Sequence, residues 1–491
     1  MTKKLLALAT VLALLCSSTL TAYAAEYNLD EGSVTVGIDE QGTQYVNQNG
    51  IKADDSAPTI TGGDGSQSIT VSTTGENKAN LTIENVNART IEVGASNAAI
   101  TVSGENNKVS NDSGGAGIHV SSGDLTITGD GTLDVKSVGT FGKCAAAIGS
   151  NSSEEMSGSI SIKGEAKVTA TVDSNISGAG AGIGSGRGGD MSGEINIENN
   201  ATVNATSNKP ERGGAGIGSG EAGDITESGS ISIKDEAKVT ATATGNIHSG
   251  AGIGSGTGGK MSGKIDIENN ATVNATSNAA SSGAAIGSGS ILYAEMSGSI
   301  SIKDEAKVTA TATGIRAGAG IGSGQTGTMS GTIAISNKAT VDASSTGSAN
   351  SGEAIGAGAK GTNTGTIRYF DPDPEPTAPG SVACYRVVGE NGLSVSCTSQ
   401  QKDGVLTITV QRDEASFLIT RVQLKDLADR GVKTIVFVTD GAASALAVSD
   451  LLTLAKLGDS FCLTHKGAEA TLTLNGETLT DVRKPWSPEQ Q

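Results

Sequence analysis

The sequence has few of the residues that build disulfide frameworks or bulky aromatic cores. Among 491 residues there are five cysteines, one tryptophan, six tyrosines and five phenylalanines. Five cysteines are too few for a disulfide framework, although Cys384 and Cys397 are close enough in sequence to pair in an oxidising compartment. An aromatic content of 2% together with 70 glycines is also far from the balance of ordinary globular domains.

Histidine is equally scarce, which argues against a zinc site or a Ser-His-Asp triad. His119, His248 and His465 are far apart in sequence, and none has a Cys or His at ligand spacing. We therefore predict that each histidine is an ordinary surface residue. The recurring AGIGSG segments resemble nucleotide-binding loops in composition only, because a phosphate loop must open a helix and these segments lead to strands.

Beyond the first 25 residues, no apolar run approaches the length that a membrane helix needs. Residues 1–25 have the parts of a secretory signal: Lys3 and Lys4, an apolar run over 5–15, and a small-residue exit at 22–25. The predicted mature chain starts at Ala25 or Glu26. We expect it to be secreted, and either extracellular or loosely associated with the cell surface.

Positive charge is in short supply. The chain has 34 basic and 52 acidic residues and a net charge of −18, and loss of Lys3 and Lys4 with the signal peptide would make this −20. A chain this acidic repels nucleic acid and anionic lipid. We therefore predict no nucleic-acid partner and no membrane insertion.

What the sequence does have is a repeat of about 34 residues. Between successive repeats of one Gly-Ile or Ala-Ile step lie two further short strand signals, such as 159–162 and 166–171. Three short strands per period, separated by Gly, Asn and Asp turns, are typical of one rung of a parallel β-helix. We predict an all-β fold, a right-handed parallel β-helix or solenoid, followed by a small α+β domain. The step recurs at Ile118, Ile148, Ile183, Ile217, Ile253, Ile286, Ile321 and Ile355.

Alternation within each strand predicts which side chains face the interior. In one rung the inward set is Ile160, Ile162, Ala166, Val168 and Ala170, and the outward set is Ser161, Lys167, Thr169 and Thr171.

Two columns at one corner follow from stacking the repeats. The first is predicted to be a ladder of alternating charge, with side chains about 4.8 Å apart: Lys163, Glu198, Lys234, Glu268, Lys303 and Ser336. The second contains residue types that tolerate a left-handed turn: Gly164, Asn199, Asp235, Asn269, Asp304 and Asn337.

Composition divides the chain into five parts. These are a signal peptide (1–25), an N-terminal cap region (26–59), the parallel β-helix (60–370, with tighter rungs over 60–135), a Pro-rich linker (371–380) and a small α+β domain (381–491). In the last part we predict strands at 405–410 and 434–438, helices at 424–429 and 449–457, and a hairpin at 472–479 that turns at Asn475-Gly476.

One candidate site is an acidic loop column. Glu155, Asp190 and Asp224 precede the Met or Ile of successive rungs, and the column continues as Lys260, Glu295 and Thr328. Three carboxylates on adjacent rungs would suit a shared Ca²⁺, a hard cation that prefers oxygen ligands. The alternative is a solvated acidic edge. A two-residue insertion after Asp224 puts the register of this column in question.

A second candidate is the outer face of the longer strands, where hydroxyls, amides and ammonium groups recur at strand spacing. Such an array can follow a polysaccharide, each rung binding weakly and repetition supplying avidity. The alternative is that Thr is simply a good strand residue, and this face lacks the aromatic rings that sugar platforms usually offer. The candidate ligand-binding residues are Lys238, Thr240, Thr242, Asn274, Thr276, Lys307 and Thr309.

A polysaccharide-degrading enzyme is the main alternative class. Glu198 and Glu268 lie two rungs apart, about 9.6 Å, at the far limit for an inverting pair. Lys234 between them would keep both carboxylates ionised, so neither would act as an acid. The sequence also places no Arg near an acidic cluster that would suit a lyase. We therefore predict that the chain is not an enzyme.

The repeats resemble a family of secreted bacterial β-helix proteins, described as carbohydrate-binding and common in anaerobic gut Firmicutes. The motifs that carry the resemblance are GAGIHV (115–120), LTITGDGTL (125–133) and AGIGSG, and it covers about residues 60–368. It implies binding of acidic plant polysaccharides, in some members with calcium, at a Gram-positive cell envelope. The resulting expectation is a non-catalytic carbohydrate-binding or adhesive scaffold for polysaccharide or host glycan. A degrading enzyme and a ligand-free structural surface protein remain as alternatives.

Overall fold

The computed structural model describes residues 25–479 and 484–485, apart from 141, 176, 210, 292–293, 371–384, 390–394, 396, 456–459 and 476. The chain divides into two compact units between Tyr369 and Phe370, which are described separately. Residues 1–24 of the predicted signal peptide, the predicted linker, Cys384 and Gly476 lie outside the described residues.

The first unit is a parallel β-helix of about ten turns, as predicted. Each regular rung contributes one strand to each of three sheets, and the strands of neighbouring regular rungs pair in parallel. We name the sheets after their repeating residues: the Ile-Gly sheet, the Ile-x-Ile sheet and the Thr sheet.

The three sheets have these strands in spatial order. The Ile-Gly sheet contains Ile51–Asp54, Gln44–Gln48, Val34–Ile38, Ser68–Ser72, Thr90–Gly94, Ile118–Val120, Ile148–Gly149, Ile183–Gly184, Ile217–Gly218, Ile253–Gly254, Ile286–Gly287, Ile321–Gly322 and Ile355–Gly356. The Ile-x-Ile sheet contains Glu26–Asn28, Thr59–Thr61, Lys78–Glu84, Asn97–Ser103, Asp124–Gly129, Ser159–Ile162, Glu194–Ile197, Ser230–Ile233, Lys264–Ile267, Ser299–Ile302, Thr332–Ser336 and Thr366–Phe370. The Thr sheet contains Asn87–Ala88, Asn107–Asn111, Thr132–Gly139, Lys167–Ser174, Thr202–Lys209, Lys238–Gly245, Thr272–Ser281, Lys307–Arg316 and Thr340–Asn350. A small extra sheet pairs Thr328–Met329 with Thr362–Asn363.

The predicted one-period-per-rung register is confirmed. Ile118 pairs with Ile148, and the same pairing continues without a slip through every repeated isoleucine to Ile355. The interior is as the alternation predicted: Ile160, Ile162, Ala166, Val168 and Ala170 are at most 1% exposed. Each buried Ile contributes roughly 1.5–3 kcal/mol, and only because neighbouring rungs cover it.

The AGIGSG segments form a buried corner, so their structural interpretation is confirmed. A serine of each rung is fully buried there, as in Ser185 and Ser219. The Ser185 hydroxyl donates to the Gly189 carbonyl at 2.6 Å and accepts from the Gly220 N–H of the next rung at 3.2 Å. The repeated serine thus satisfies backbone groups that the turn would otherwise leave unpaired inside the protein.

The predicted left-handed turn column is nearly complete. Gly164, Asn199, Asp235, Asn269 and Asp304 have φ between 54° and 74°. Asn337 does not adopt a positive φ, so the prediction is wrong at that position. There the preceding residue, Ser336, is still part of a strand.

The N-terminal end is closed by antiparallel strands. Val34–Ile38 pairs with Gln44–Gln48, which pairs with Ile51–Asp54, so the parallel ladder ends in a meander. A short 3-10 turn, Leu29–Glu31, precedes it. The rungs that follow are shorter, as predicted: the register-paired Ile69, Ile91, Ile118 and Ile148 are 22, 27 and 30 residues apart.

The second unit is β-rich with two helices, Arg421–Asp429 and Val448–Leu454. One sheet is antiparallel and contains Arg386–Val388, Glu414–Thr420, Ser460–Lys466, Glu469–Leu474 and Glu477–Thr478. The other contains Thr398–Lys402, Val405–Thr409, Thr434–Val438, Ala443–Ala447 and Lys484–Pro485. The predicted strands and helices all occur here, with helix bounds shifted by up to three residues.

Candidate functional site

The outer face of the Thr sheet brings the predicted ligand-binding residues together. Lys238 pairs in register with Thr272 and then Lys307, and Thr240 pairs with Asn274 and then Thr309. Thr242 and Thr276 form the next column. Their alternating partners Val239, Ala241, Val273 and Ala275 are buried, so the polar side chains lie on the solvent side. The structure therefore assembles one continuous polar array over consecutive strands.

The charge on this array is opposite to that of the whole chain. The four strands from Thr202–Lys209 to Lys307–Arg316 contain no Asp or Glu, although the net charge of the chain is −18. Lys238 and Lys307 are exposed and two rungs apart, about 9.6 Å along the solenoid. The Ile-x-Ile sheet, by comparison, has Glu194 and Asp266 among its strand residues. The Thr sheet thus has a locally basic, hydroxyl-rich outer face.

The predicted acidic column is in register across the insertion that follows Asp224. Backbone bridges join Met156, Met191, Ile225, Met261 and Met296 in order, so the residues before them are stacked. The carboxylates, however, are used by the protein itself: Asp190 accepts the Asp224 N–H at 2.9 Å and Asp224 accepts the Lys260 N–H at 2.7 Å. Glu155 accepts a hydrogen bond from the Ser192 hydroxyl.

These carboxylates form a row and do not converge on one point. Within the described part of the chain, no group of three or more His, Cys, Asp or Glu side chains is close enough to hold a metal ion. Calcium binding at this column stays a prediction.

The charged corner column forms pairs. Lys234 Nζ lies 3.0 Å from a Glu198 oxygen, and Lys303 Nζ lies 3.6 Å from a Glu268 oxygen. The hydrogen bond and charge of Glu198 raise the pKa of Lys234 above its ordinary value, and Glu268 adds to this. Lys234 therefore lies between the carboxylates of Glu198 and Glu268 and reduces the repulsion between them.

We predict that Lys234→Glu destabilises the protein more than Lys234→Ala. Both variants lose the ion pair, a loss of roughly 0.2–1 kcal/mol for an exposed pair, but the glutamate also repels Glu198 and Glu268. Thermal unfolding at low salt measures the difference, which should shrink at high salt. The matched control is Lys238, which is flanked in register by Thr202 and Thr272. At position 238 the Glu and Ala variants should have nearly the same melting temperature. An equal difference between the Glu and Ala variants at both positions would contradict the predicted ladder of alternating charge.

His119 is not the surface residue that the sequence predicts. It is 9% exposed and lies between two carboxylates on different rungs: Nδ1 contacts Glu92, and Nε2 lies 2.7 Å from a Glu154 oxygen. Burial alone would lower the pKa of His119, but hydrogen bonds and charge from Glu92 and Glu154 outweigh it, so the pKa is raised. A protonated His119 donates to both carboxylates and joins three rungs.

This arrangement predicts a pH-dependent stability. Because the pKa of His119 is higher in the folded protein, its extra stabilisation is complete below the unfolded value of about 6.5 and is lost as the pH rises through the folded value. We expect His119→Gln to destabilise by roughly 1–3 kcal/mol at about pH 6 and by less at about pH 9. Thermal melts of both proteins across this range measure the effect.

His248 provides the control, since its pKa is lowered by burial and by the charge of Arg212. Protonation of this histidine opposes folding, so His248→Gln should relieve a loss of stability at acid pH. Parallel melting curves for wild type and His119→Gln at every pH would contradict the assigned role of His119.

A second charged cluster was missed in the sequence. Glu221, whose side chain is 7% exposed, lies 2.7 Å from Arg187 Nε and 3.6 Å from Arg212 Nη1. Arg212 pairs with His248 in an adjacent rung. Two arginines thus lie against one buried carboxylate, a contact that the sequence did not predict, and the expectation that no Arg lies near an acidic cluster suited to a lyase stays a prediction. Both arginines come from corner loops, where no strand alternation indicates which residues meet.

His465, in the second unit, is also buried and not on the surface. Its Nδ1 lies 3.1 Å from the Thr439 hydroxyl and its Nε2 lies 3.0 Å from the Ser444 hydroxyl. The ring packs against Phe437 with centroids 4.8 Å apart. His465 is therefore a hydrogen-bonded residue of the core.

No model of a known protein family matches the chain, and neither a curated protein nor a solved structure is significantly similar to it. The resemblance to carbohydrate-binding β-helix proteins stays a prediction. In the part of the chain that the structure describes, no helix combines the length and the apolar character of a membrane span.

Proposed function

We propose that this chain is a secreted, non-catalytic carbohydrate-binding or adhesive surface scaffold. In this proposal an extended polysaccharide or host glycan lies along the outer face of the Thr sheet. The contacting residues are Lys238, Thr240, Thr242, Asn274, Thr276, Lys307 and Thr309. The observation that carries the proposal is their in-register stacking on the solvent side of consecutive strands.

The chemistry of the array suits a hydroxylated chain. Thr hydroxyls and Asn amides each offer donors and acceptors, and sugar hydroxyls use both. Each rung presents hydroxyl, amide or ammonium groups about 4.8 Å after those of the previous rung, so a ligand that extends along the solenoid meets many weak contacts. Affinity is then expected to grow with ligand length.

The positive charge of the array allows a neutral or an anionic glycan to bind there, although the whole chain is acidic. Lys238 and Lys307 are the positively charged members of the array, and each is exposed. An anionic polymer approaching elsewhere meets net negative charge and is repelled. The face is thus the place where such a polymer is met by positive charge.

Affinity electrophoresis of the intact chain, in gels that contain pectin, xylan or mucin, tests this proposal. We expect slower migration in at least one gel. Parallel gels with Ca²⁺ and with a chelator test the calcium prediction. Migration unchanged in every gel would favour a ligand-free structural protein, and shortening of the polymer would favour a degrading enzyme.

A further inference from the structure

A polar pocket lies where several strands of the Thr sheet end, next to the proposed array. Its volume is about 440 Å³, and it is lined by Lys136, Val138, Asp173, Ser174, Asn175, Asn208 and Asn246. Asn246 directly follows Lys238–Gly245, the strand that carries Lys238, Thr240 and Thr242. The pocket therefore lies beside the first strand of the array, at the C-terminal end of that strand.

One wall of the pocket is held by hydrogen bonds across four successive strands. Lys136 Nζ lies 2.8 Å from Asp173 Oδ2, and Asn208 Nδ2 donates to Asp173 Oδ1 at 3.2 Å. The Thr244 hydroxyl donates to Asn208 Oδ1 at 2.9 Å. These bonds fix which end of the Asn208 amide is the donor and keep the wall rigid.

The wall has two opposite charges that compensate each other. The hydrogen bond to Asp173 raises the pKa of Lys136, and the hydrogen bond from Lys136 lowers the pKa of Asp173, so both stay ionised. An anionic group entering the pocket would meet Asp173, and a cationic group would meet Lys136. Since neither sign is favoured, the wall suits a neutral ligand.

The remaining hydrogen-bonding capacity suits hydroxyl groups. Each Asp173 oxygen uses one lone pair on its partner and retains another, and Asn208 retains one N–H. Asn175 and Asn246 are exposed amides on the rim, and Val138 supplies an apolar surface. Adjacent hydroxyls that donate to a carboxylate and accept from amides, on a ring with an apolar face, describe a sugar. The volume is at the small end of ligand pockets and fits one or two sugar residues.

We infer that this pocket binds one or two neutral sugar residues at the end or on a branch of the glycan. The inference rests on the proposed function, because the array would hold the polymer while the pocket binds its neutral end or branch.

The test measures binding of short probes by the intact protein, using saturation-transfer NMR and calorimetry with xylotriose, galactotriose and trigalacturonic acid. We expect at least one neutral trisaccharide to bind with a Kd on the order of 1 mM. Asn246→Ala and Asp173→Asn should each weaken it by about tenfold. Asn246→Ala removes an exposed amide and should not affect folding. The matched control is Asn278→Ala, an exposed amide that pairs in register with Thr244 and does not line the pocket.

The outcomes separate this inference from the proposed function. No binding of either neutral trisaccharide, or equal binding by Asn246→Ala and wild type, would overturn the inference while retention on long polysaccharide still supports the array. Binding of a neutral trisaccharide that is lost in Asn246→Ala, with no retention on any long polymer, would support the pocket and reject the array.

Discussion

Gly254→Ala is expected to destabilise the solenoid by about 3–5 kcal/mol, whereas Gly258→Ala should cost only about 1–2 kcal/mol. Both glycines have positive φ, 136° and 78°, so an alanine is strained at either site. The difference lies in the space beside them. A Cβ on Gly254 would lie 1.8 Å from the Gly287 carbonyl oxygen, whereas a Cβ on Gly258 meets nothing within 4 Å.

The clash at Gly254 cannot be relieved locally, because the obstructing atom belongs to the backbone of the next rung. Moving Gly287 away would break the Ile253–Ile286 ladder and push the following rungs. The same close approach recurs at Gly149, Gly184, Gly218, Gly287 and Gly322, where the distance is 1.7 to 2.0 Å. This explains why the residue after the repeated Ile is Gly in the rungs from Ile148 to Ile321.

Thermal unfolding followed by circular dichroism, together with native-state proteolysis, measures both variants. Proteolysis is needed because a solenoid can open locally around one damaged rung. Equal melting temperatures and equal protease sensitivity for the two variants would mean that the rungs are not packed as closely at this corner as the structure indicates.

The solenoid was predictable because its repeats differ little in length. Once Ile148, Ile183 and Ile217 are aligned, alternation assigns the inner and outer side chains of each strand, and the observed registers follow. The polar array on the Thr sheet was therefore predictable as a geometric feature. Its ligand was not, because Thr, Asn and Lys on an outer strand face are equally consistent with strand propensity alone.

The clusters that sequence reasoning missed lie where repeat length varies or where loops meet. Glu92 and His119 belong to the shorter N-terminal rungs, so the 34-residue period does not align them. Arg212 reaches Glu221 from a different corner segment of the same rung. Lys136 reaches Asp173 diagonally, since the residue paired with Asp173 is Val138. Column alignment gives neighbours along the solenoid axis, and it does not give diagonal or loop-to-strand contacts.

The acidic column illustrates a different limit. Its register was predictable, but whether its carboxylates converge depends on side-chain direction. Backbone N–H groups of the next rung attract Asp190 and Asp224, which turns each carboxylate along the solenoid. In this column the repeat therefore produces a row of carboxylates that are hydrogen-bonded to the next rung, and not a cluster that converges on one ligand.

Simultaneous replacement of Thr240, Asn274 and Thr309 by Glu is expected to abolish retention on a long polysaccharide. The three residues are exposed and consecutive in one column, so the change places three carboxylates in the centre of the array. They remove hydroxyl and amide donors, add bulk, and neutralise the field of Lys238 and Lys307. Since avidity multiplies the weak contacts of several rungs, losing three adjacent rungs should reduce retention far more than threefold.

All three side chains point to solvent and the buried Val239, Ala241, Val273 and Ala275 are unchanged. The main cost to folding is therefore repulsion among the three stacked carboxylates, which Lys238, Lys307 and about 0.15 M salt reduce. A matched control adds the same charge to the Ile-x-Ile sheet, as Ser230→Glu, Ser299→Glu and Thr332→Glu, at half-buried outward positions. We expect the control to be retained like wild type, once its altered mobility in ligand-free gel has been subtracted. Both triple variants should melt within a few degrees of wild type, which corresponds to a change of about 1 kcal/mol in the free energy of unfolding. Equal retention of the two triple variants would exclude the outer face of the Thr sheet as the glycan site.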